Sequence, residues 1–272
     1  MPPQLAHSKS LWAPEAQVDV TNERGRLAAA LADERTSTGV GGLDRILAGG
    51  FPANRAILIS GEPGTCKSTM GLQFLVEGIL KGEPGICVSV DQKPHHLLHD
   101  AARFDWNLDA AVSSEALTVL EASPYFTATR NKTKSAIPID ARNITTDLSN
   151  QVRRTGAKRL VIDGLHSLVP PDLTRAGAQD YLRSVLLSLE DNMGCTVLLT
   201  ALPAVPGDPQ AICEALVSGI VVLSIRKAGW TYARTLFVKK MRGTPVDPDE
   251  YTFQVNGDKG IYLLGRSWNG SE

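Results

Sequence analysis

An α/β fold, with a mainly parallel sheet flanked by helices and antiparallel strands toward the C-terminus, follows from three observations. Apolar runs of strand length at 56–60, 86–90, 117–121, 159–163 and 196–200 alternate with helix-like segments. These runs are apolar at consecutive positions, as in strands buried on both faces of a parallel sheet. After Gly207 the pattern changes. Runs at 219–225, 232–240, 251–255 and 261–264 succeed one another without a helix, with turns at 227–229 and 256–260.

The helices are read from period. Leu72, Leu75, Val76, Ile79 and Leu80 fall on one face of an amphipathic helix, which Gly82 ends. Segments 145–155, closing near Gly156, and 180–192 are two more. Residues 1–37 read as a partly ordered N-terminal extension, with a short helix over 22–34 carrying Leu27 and Leu31. Residues 38–265 read as one domain and 266–272 as a tail. No internal repeat or coiled coil is present.

Composition narrows the function classes. The chain has 272 residues, 43% apolar and 21% charged, enough for one large domain that buries its core without staples. Lys plus Arg number 28 against 29 Asp plus Glu, a net charge of −1. That balance argues against purely electrostatic binding of nucleic acid or an anionic membrane. The four cysteines, Cys66, Cys87, Cys195 and Cys213, form no CxxC pair, and their apolar neighbours suit small core residues in a reduced cytoplasmic compartment. The N-terminus has no apolar stretch of signal length, and runs such as 215–225 fall well short of the ~20 residues of a membrane helix. A soluble, cytoplasmic protein with no membrane partner is expected.

The central chemical signal is Gly61-Glu62-Pro63-Gly64-Thr65-Cys66-Lys67-Ser68-Thr69, between a predicted strand and a predicted helix. That context makes it a P-loop: glycines let backbone N–H groups and the helix N-terminus close around phosphate oxygens. Lys67 supplies a charge for the β- and γ-phosphates, and Ser68 a hydroxyl ligand for Mg²⁺. Cys66 stands where the motif has its last glycine. If the backbone there is left-handed, a side chain costs ~1–2 kcal/mol, which weakens nucleotide binding without abolishing it. Leu160-Val161-Ile162-Asp163 is an apolar strand ending in a carboxylate, and with a P-loop upstream Asp163 becomes the second Mg²⁺ ligand.

Several further segments occur in a telling order: Thr38-Gly39-Val40-Gly41-Gly42-Leu43-Asp44, Leu47-Ala48-Gly49-Gly50-Phe51-Pro52, Gly71-Leu72-Gln73-Phe74 and Lys158 to Asp163. With Lys240-Met241-Arg242-Gly243 they cover most of the chain from Thr38. Together they resemble the KaiC-like ATPases of the RecA superfamily. The resemblance implies a RecA-like P-loop fold, ATP and Mg²⁺ as ligands, and a homo-oligomeric ring, commonly a hexamer, with ATP between subunits. It also implies that Lys240 and Arg242 reach the neighbour's γ-phosphate. Read alone, they are an exposed basic edge that discourages strand pairing.

Two adjacent glutamates follow the second strand in active members of the family this chain resembles. Here the positions hold Asp91 and Gln92. Asp91 is one methylene shorter and Gln92 cannot accept a proton, and losing a general base costs ~10²–10⁴ in rate. Glu214-Ala215 occupies the place of the clock kinase's Ser-Thr pair, so self-phosphorylation there is not expected. Thr200 either senses the γ-phosphate or caps its strand. His95, His96 and His99 suit a solvated helix start better than a metal site. The basic stretch 129–142 reads as a loop facing solvent, a ring pore or nucleic acid. Three functions stay open: a ring ATPase, an ATP-gated assembly module that recruits a signalling partner, and a DNA-binding recombination-type ATPase, which the near-neutral charge disfavours.

Overall fold

Strand β3 (Ala56–Gly61) is buried at all six positions, because it lies in the interior of a nine-stranded sheet. The computed structural model describes residues 34–122, 141–170, 172–205, 208, 211–246 and 248–266. Ahead of β3 come β1 (Arg35–Thr36), α1 (Leu43–Ile46) and β2 (Phe51–Pro52). The β1–β2 pair is a separate antiparallel ribbon. Its first strand lies ahead of Thr38, where sequence reading starts the domain, because pairing with β2 orders it. The expected helix over 22–34 lies almost wholly outside the described residues, as does nearly all of the basic stretch 129–142.

Helix α2 (Lys67–Leu80), β4 (Gly85–Ser89), α3 (Pro94–Ala101), α4 (Leu108–Ser113) and β5 (Leu117–Glu121) follow. Next are α5 (Ala141–Thr155), β6 (Arg159–Asp163), α6 (Arg175–Asn192) and β7 (Thr196–Ala201). Helix α7 (Ala211–Leu216) precedes β8 (Gly219–Ala228), β9 (Thr231–Met241), β10 (Glu250–Asn256) and β11 (Gly260–Arg266). The strand order is β11-β10-β9-β8-β3-β7-β6-β4-β5. From β8 to β5 every pair is parallel, and from β8 to β11 every pair is antiparallel. The mixed sheet matches the expected fold class. Helices α3, α4 and α7 are too short for period to reveal them.

Alternation along the strands divides the core. Leu58, Val88, Leu160, Ile162, Val197 and Leu199 pack toward one face, with Leu148, Val152, Leu182, Val185 and Leu189 of α5 and α6. Ile57, Ile59, Cys87, Val161 and Leu198 pack toward the other, with Leu72, Leu75 and Val76 of α2. Cys87, Cys195 and Cys213 are buried, and burial pushes the thiols of Cys195 and Cys213 up to about 12. They behave as small apolar side chains.

Strand β7 lies between β3 and β6, pairing Ile59 with Thr200 and Thr200 with Asp163. The P-loop, Thr200 and Asp163 therefore share the C-terminal edge of the parallel strands, where open α/β sheets bind ligands.

Candidate nucleotide site

The loop from Gly61 to Cys66 turns the chain from β3 into α2. Thr65 is buried, and its hydroxyl donates to the Glu62 carbonyl at 2.7 Å, closing the turn. A side chain on Gly61 would collide with the Leu223 carbonyl and the Thr65 hydroxyl, so the close approach of β8 to the loop requires glycine. Cys66 has φ 72° and ψ 30°, a left-handed conformation, and is the N-cap residue of α2. The left-handed condition is met, but the consequence drawn from it, weakened nucleotide binding, gives way to a cost in stability. The strain belongs to the fold itself, because Cys66 adopts this conformation to start the helix.

Lys67 Nζ donates to the carbonyls of Gly61 and Glu62 at 2.7 and 2.9 Å, which holds the ammonium over the loop. Burial lowers its pKa, opposed by the charges of Asp163, Glu62 and Asp91. Ser68 Oγ lies 3.1 Å from Asp163 Oδ1 and donates to it. Thr200 donates to the same oxygen at 2.6 Å and accepts from the Gly164 N–H at 2.9 Å. Its hydroxyl proton is thus committed to orienting Asp163. Burial pushes the Asp163 carboxyl above the usual carboxylate range, with Thr200 and Ser68 pulling the other way.

A cavity of about 640 Å³ joins Pro63, Gly64, Cys66, Lys67, Ser68 and Thr69 with Asp91, Gln92 and Asp163. Glycine-lined backbone, one ammonium, a hydroxyl and a carboxylate form a cradle for a polyphosphate with a hard divalent cation. The donor set fits Mg²⁺, which prefers one or two protein oxygens completed by substrate phosphates and waters. Among the described residues no cluster of three or more His, Cys, Asp or Glu side chains forms a metal cage. His95, His96 and His99 are exposed on α3, the first two in edge-to-face ring contact at 4.2 Å.

Lys240 and Arg242 do not reach this cavity. Lys240 pairs with Ile220 near the start of β8, and Gly219 in turn lies beside Ile57. About 13 Å of strand separates Ile57 from Gly61, at ~3.3 Å per residue. Lys240 Nζ donates to the Glu214 and Ala215 carbonyls at 3.0 Å each, and Arg242 to the Ala215 carbonyl at 3.1 Å. Burial, then the Arg242 charge, lowers the Lys240 pKa.

The cavity also receives side chains that sequence reading did not assign to it: Arg103, His166 and Arg234. Gly164, directly after Asp163, was the available signal for His166, since it marks a sharp departure from β6. Arg234 arrives from β9, and no local pattern points to it.

The fold and this site define a RecA-like P-loop ATPase. The chain belongs to the KaiC ATPase family, whose description matches residues 36–267. A UPF0273 protein of Thermotoga maritima is 32% identical to it, over 85% of this chain and 96% of that protein. Another, from Pyrococcus furiosus, is 32% identical over 84% of this chain and 93% of the relative. The circadian clock oscillator protein KaiC of Prochlorococcus marinus is 30% identical over 85% of this chain, which spans 45% of that longer protein. A solved KaiC-like protein from Pyrococcus horikoshii shares the fold, with a TM-score of 0.72 at 24% identity, covering 85% of this chain and 99% of that one. Among the described residues no helix is long and apolar enough to cross a membrane.

Proposed function

We propose that this chain is the subunit of a homo-oligomeric ring, six-membered as the resemblance suggests, that holds Mg-ATP between neighbouring subunits and hydrolyses it slowly. The observation that carries this reading is the meeting of Lys67, Ser68 and Asp163 on one cavity at the end of the parallel strands. The P-loop N–H groups and the Lys67 ammonium bind the phosphates, and Ser68 and Asp163 hold the metal. When bound, magnesium neutralises charge on the β- and γ-phosphate oxygens. The ring is supported by Lys240 and Arg242 standing far from their own P-loop, on the carbonyls that end α7. That distance excludes their own nucleotide and suits the family's role on a neighbour's γ-phosphate, where such groups are worth ~10³–10⁵ in rate.

Slow turnover is supported by Asp91-Gln92, where only one side chain can take a proton. The same pair favours a second reading, an ATP-gated assembly module that recruits a protein signalling partner with little hydrolysis. One experiment separates them: calorimetric Mg-ATP binding, phosphate release and native mass, measured on the wild type and on Lys67→Ala. Binding in the wild type, its loss in Lys67→Ala, a multi-subunit mass and slow phosphate release are expected. Unchanged affinity in Lys67→Ala overturns the site. A monomeric mass with ATP at high concentration overturns the ring, and ATP-dependent assembly with no phosphate release selects the module.

A further inference from the structure

Two chain segments leave the sheet side by side above the cavity. In the register of β4 and β6, Ser89 lies opposite Asp163, and the Val90 N–H continues the pairing by donating to the Asp163 carbonyl at 3.1 Å. The Ser89 hydroxyl then donates to the Gln92 carbonyl at 2.7 Å, folding the chain back so that Asp91 overlies the β6 exit. Gly164 there has φ 109°, and a Cβ on it would strike the Asp91 carboxylate. A single 3-10 turn follows, Leu165–Leu168, anchored by its buried ends. That turn brings His166 Nε2 to 3.5 Å from Asp91 Oδ2. His166 and Asp91 both line the cavity that holds Lys67, Ser68 and Asp163.

The other ring nitrogen makes no competing bond. His166 Nδ1 is buried and has no hydrogen-bond partner among the described residues. A proton there would have no acceptor, so the proton of the neutral ring belongs on Nε2, facing the carboxylate. The 3.5 Å separation is long for a hydrogen bond, and such bonds commonly tighten when substrate closes the site. Gln92 offers no proton acceptor of useful basicity, which leaves Asp91, the carboxylate facing His166, as the acceptor of the pair.

We propose that His166 is a positioning residue for ATP hydrolysis, its Nε2–H orienting the Asp91 carboxylate toward the attacking water. The inference rests on the ATP-site reading above and deepens it. In the step, the water oxygen bonds to the γ-phosphorus while the bond from that phosphorus to the bridging oxygen breaks. ADP leaves with the electron pair. The water's proton passes to Asp91 and then to the product phosphate. Throughout, His166 keeps its proton and fixes which carboxylate oxygen faces the water. A purely structural role, tying two loops together, would alter stability and affinity but not this orientation.

The test is a double-mutant comparison on the full chain, reading Mg-ATP affinity and kcat separately. His166→Leu is expected to lower kcat roughly tenfold, the worth of one hydrogen bond to a charged group, with affinity changed by less than about twofold. His166→Gln, whose amide N–H reaches the Nε2 position, is expected to recover most of that loss. In an Asp91→Asn background, His166→Leu should cost nothing further, because the group it orients is already disabled. If the leucine variant does not fold, His166→Asn replaces it, its amide being too short to reach Asp91. Wild-type kcat in His166→Leu, or an equal loss with and without Asp91, overturns the inference, as does Mg-ATP binding without any turnover in the wild type. A wild type that binds no Mg-ATP overturns the parent reading instead.

Discussion

Cys66 and Asp163 each place an unfavourable group where the site needs its geometry. A left-handed non-glycine residue costs ~1–2 kcal/mol, and Cys66 carries that cost as the N-cap of α2. Because the strain lies in the fold, its relief should appear as stability more than as affinity. Cys66→Gly is expected to raise Tm by about 2–4 °C, for ~1 kcal/mol in a domain of this size, and to change Mg-ATP affinity less than about threefold. Thermal unfolding and calorimetry under reducing conditions check this. Asp163 is the electrostatic counterpart. Burial holds its carboxyl above the usual range. The folded chain therefore takes up that proton more readily than the unfolded chain does. The ionised carboxylate thus costs stability at neutral pH, and the cost shrinks as pH falls through the raised value. Asp163→Asn still offers an oxygen to Thr200 and Ser68. It should raise Tm at pH 7 by an amount that fades on acidification, while losing the extra stability that Mg-ATP gives the wild type.

At the scale of elements, the glycine-rich lead-in and the Gly71 to Phe74 segment serve architecture rather than chemistry. Gln73 is buried on α2, and its amide donates to the carbonyls of Gly39 and Ile261 at 2.6 and 3.0 Å. Its oxygen accepts from the Ile261 N–H at 2.6 Å. One side chain therefore ties the P-loop helix to the lead-in and to β11. Gln73→Leu leaves those backbone groups buried without partners, at ~1–3 kcal/mol for the first. A loss of roughly 3 kcal/mol, or 6–12 °C in Tm, is expected from thermal unfolding. Arg159 makes a second tie. It is buried over the Phe74 ring, donates to the Ser37 and Phe74 carbonyls at 2.8 Å each, and pairs with Glu83 at 2.7 Å. Such contacts give Gln73 and Arg159 an architectural role beside the P-loop.

At the scale of the whole molecule, two sets of polar side chains stand at opposite ends of one sheet. Lys67, Ser68 and Asp163 gather at the end where β3, β6 and β7 finish, and Lys240 and Arg242 stand at the end where β3 and β8 begin. If ATP is held between subunits, each site draws its P-loop from one chain and its Lys-Arg pair from the next. Lys67→Ala and Arg242→Ala should each be nearly inactive alone. A mixture assembled together should regain activity, because some interfaces pair an intact P-loop with an intact arginine. Phosphate release measured against mixing ratio checks this, and a flat response would mean that Arg242 does not act on a neighbour.

The sequence alone determined what depends on neighbouring residues in the chain. The P-loop between its strand and helix, the apolar strand ending in Asp163, and the change to antiparallel strands are all local patterns of spacing and period. Backbone conformation imposes those patterns wherever the segment ends up. Strand order is not local, and it decided the rest. Inserting β7 between β3 and β6 commits Thr200 to Asp163, a role that its position at a strand end left open. Adjacent exits from β4 and β6 bring His166 against Asp91, and β9 carries Arg234 to the cavity. Side chains from different strands meet only through the order and register of the sheet. Packing across the whole core selects that order, and no single segment encodes it.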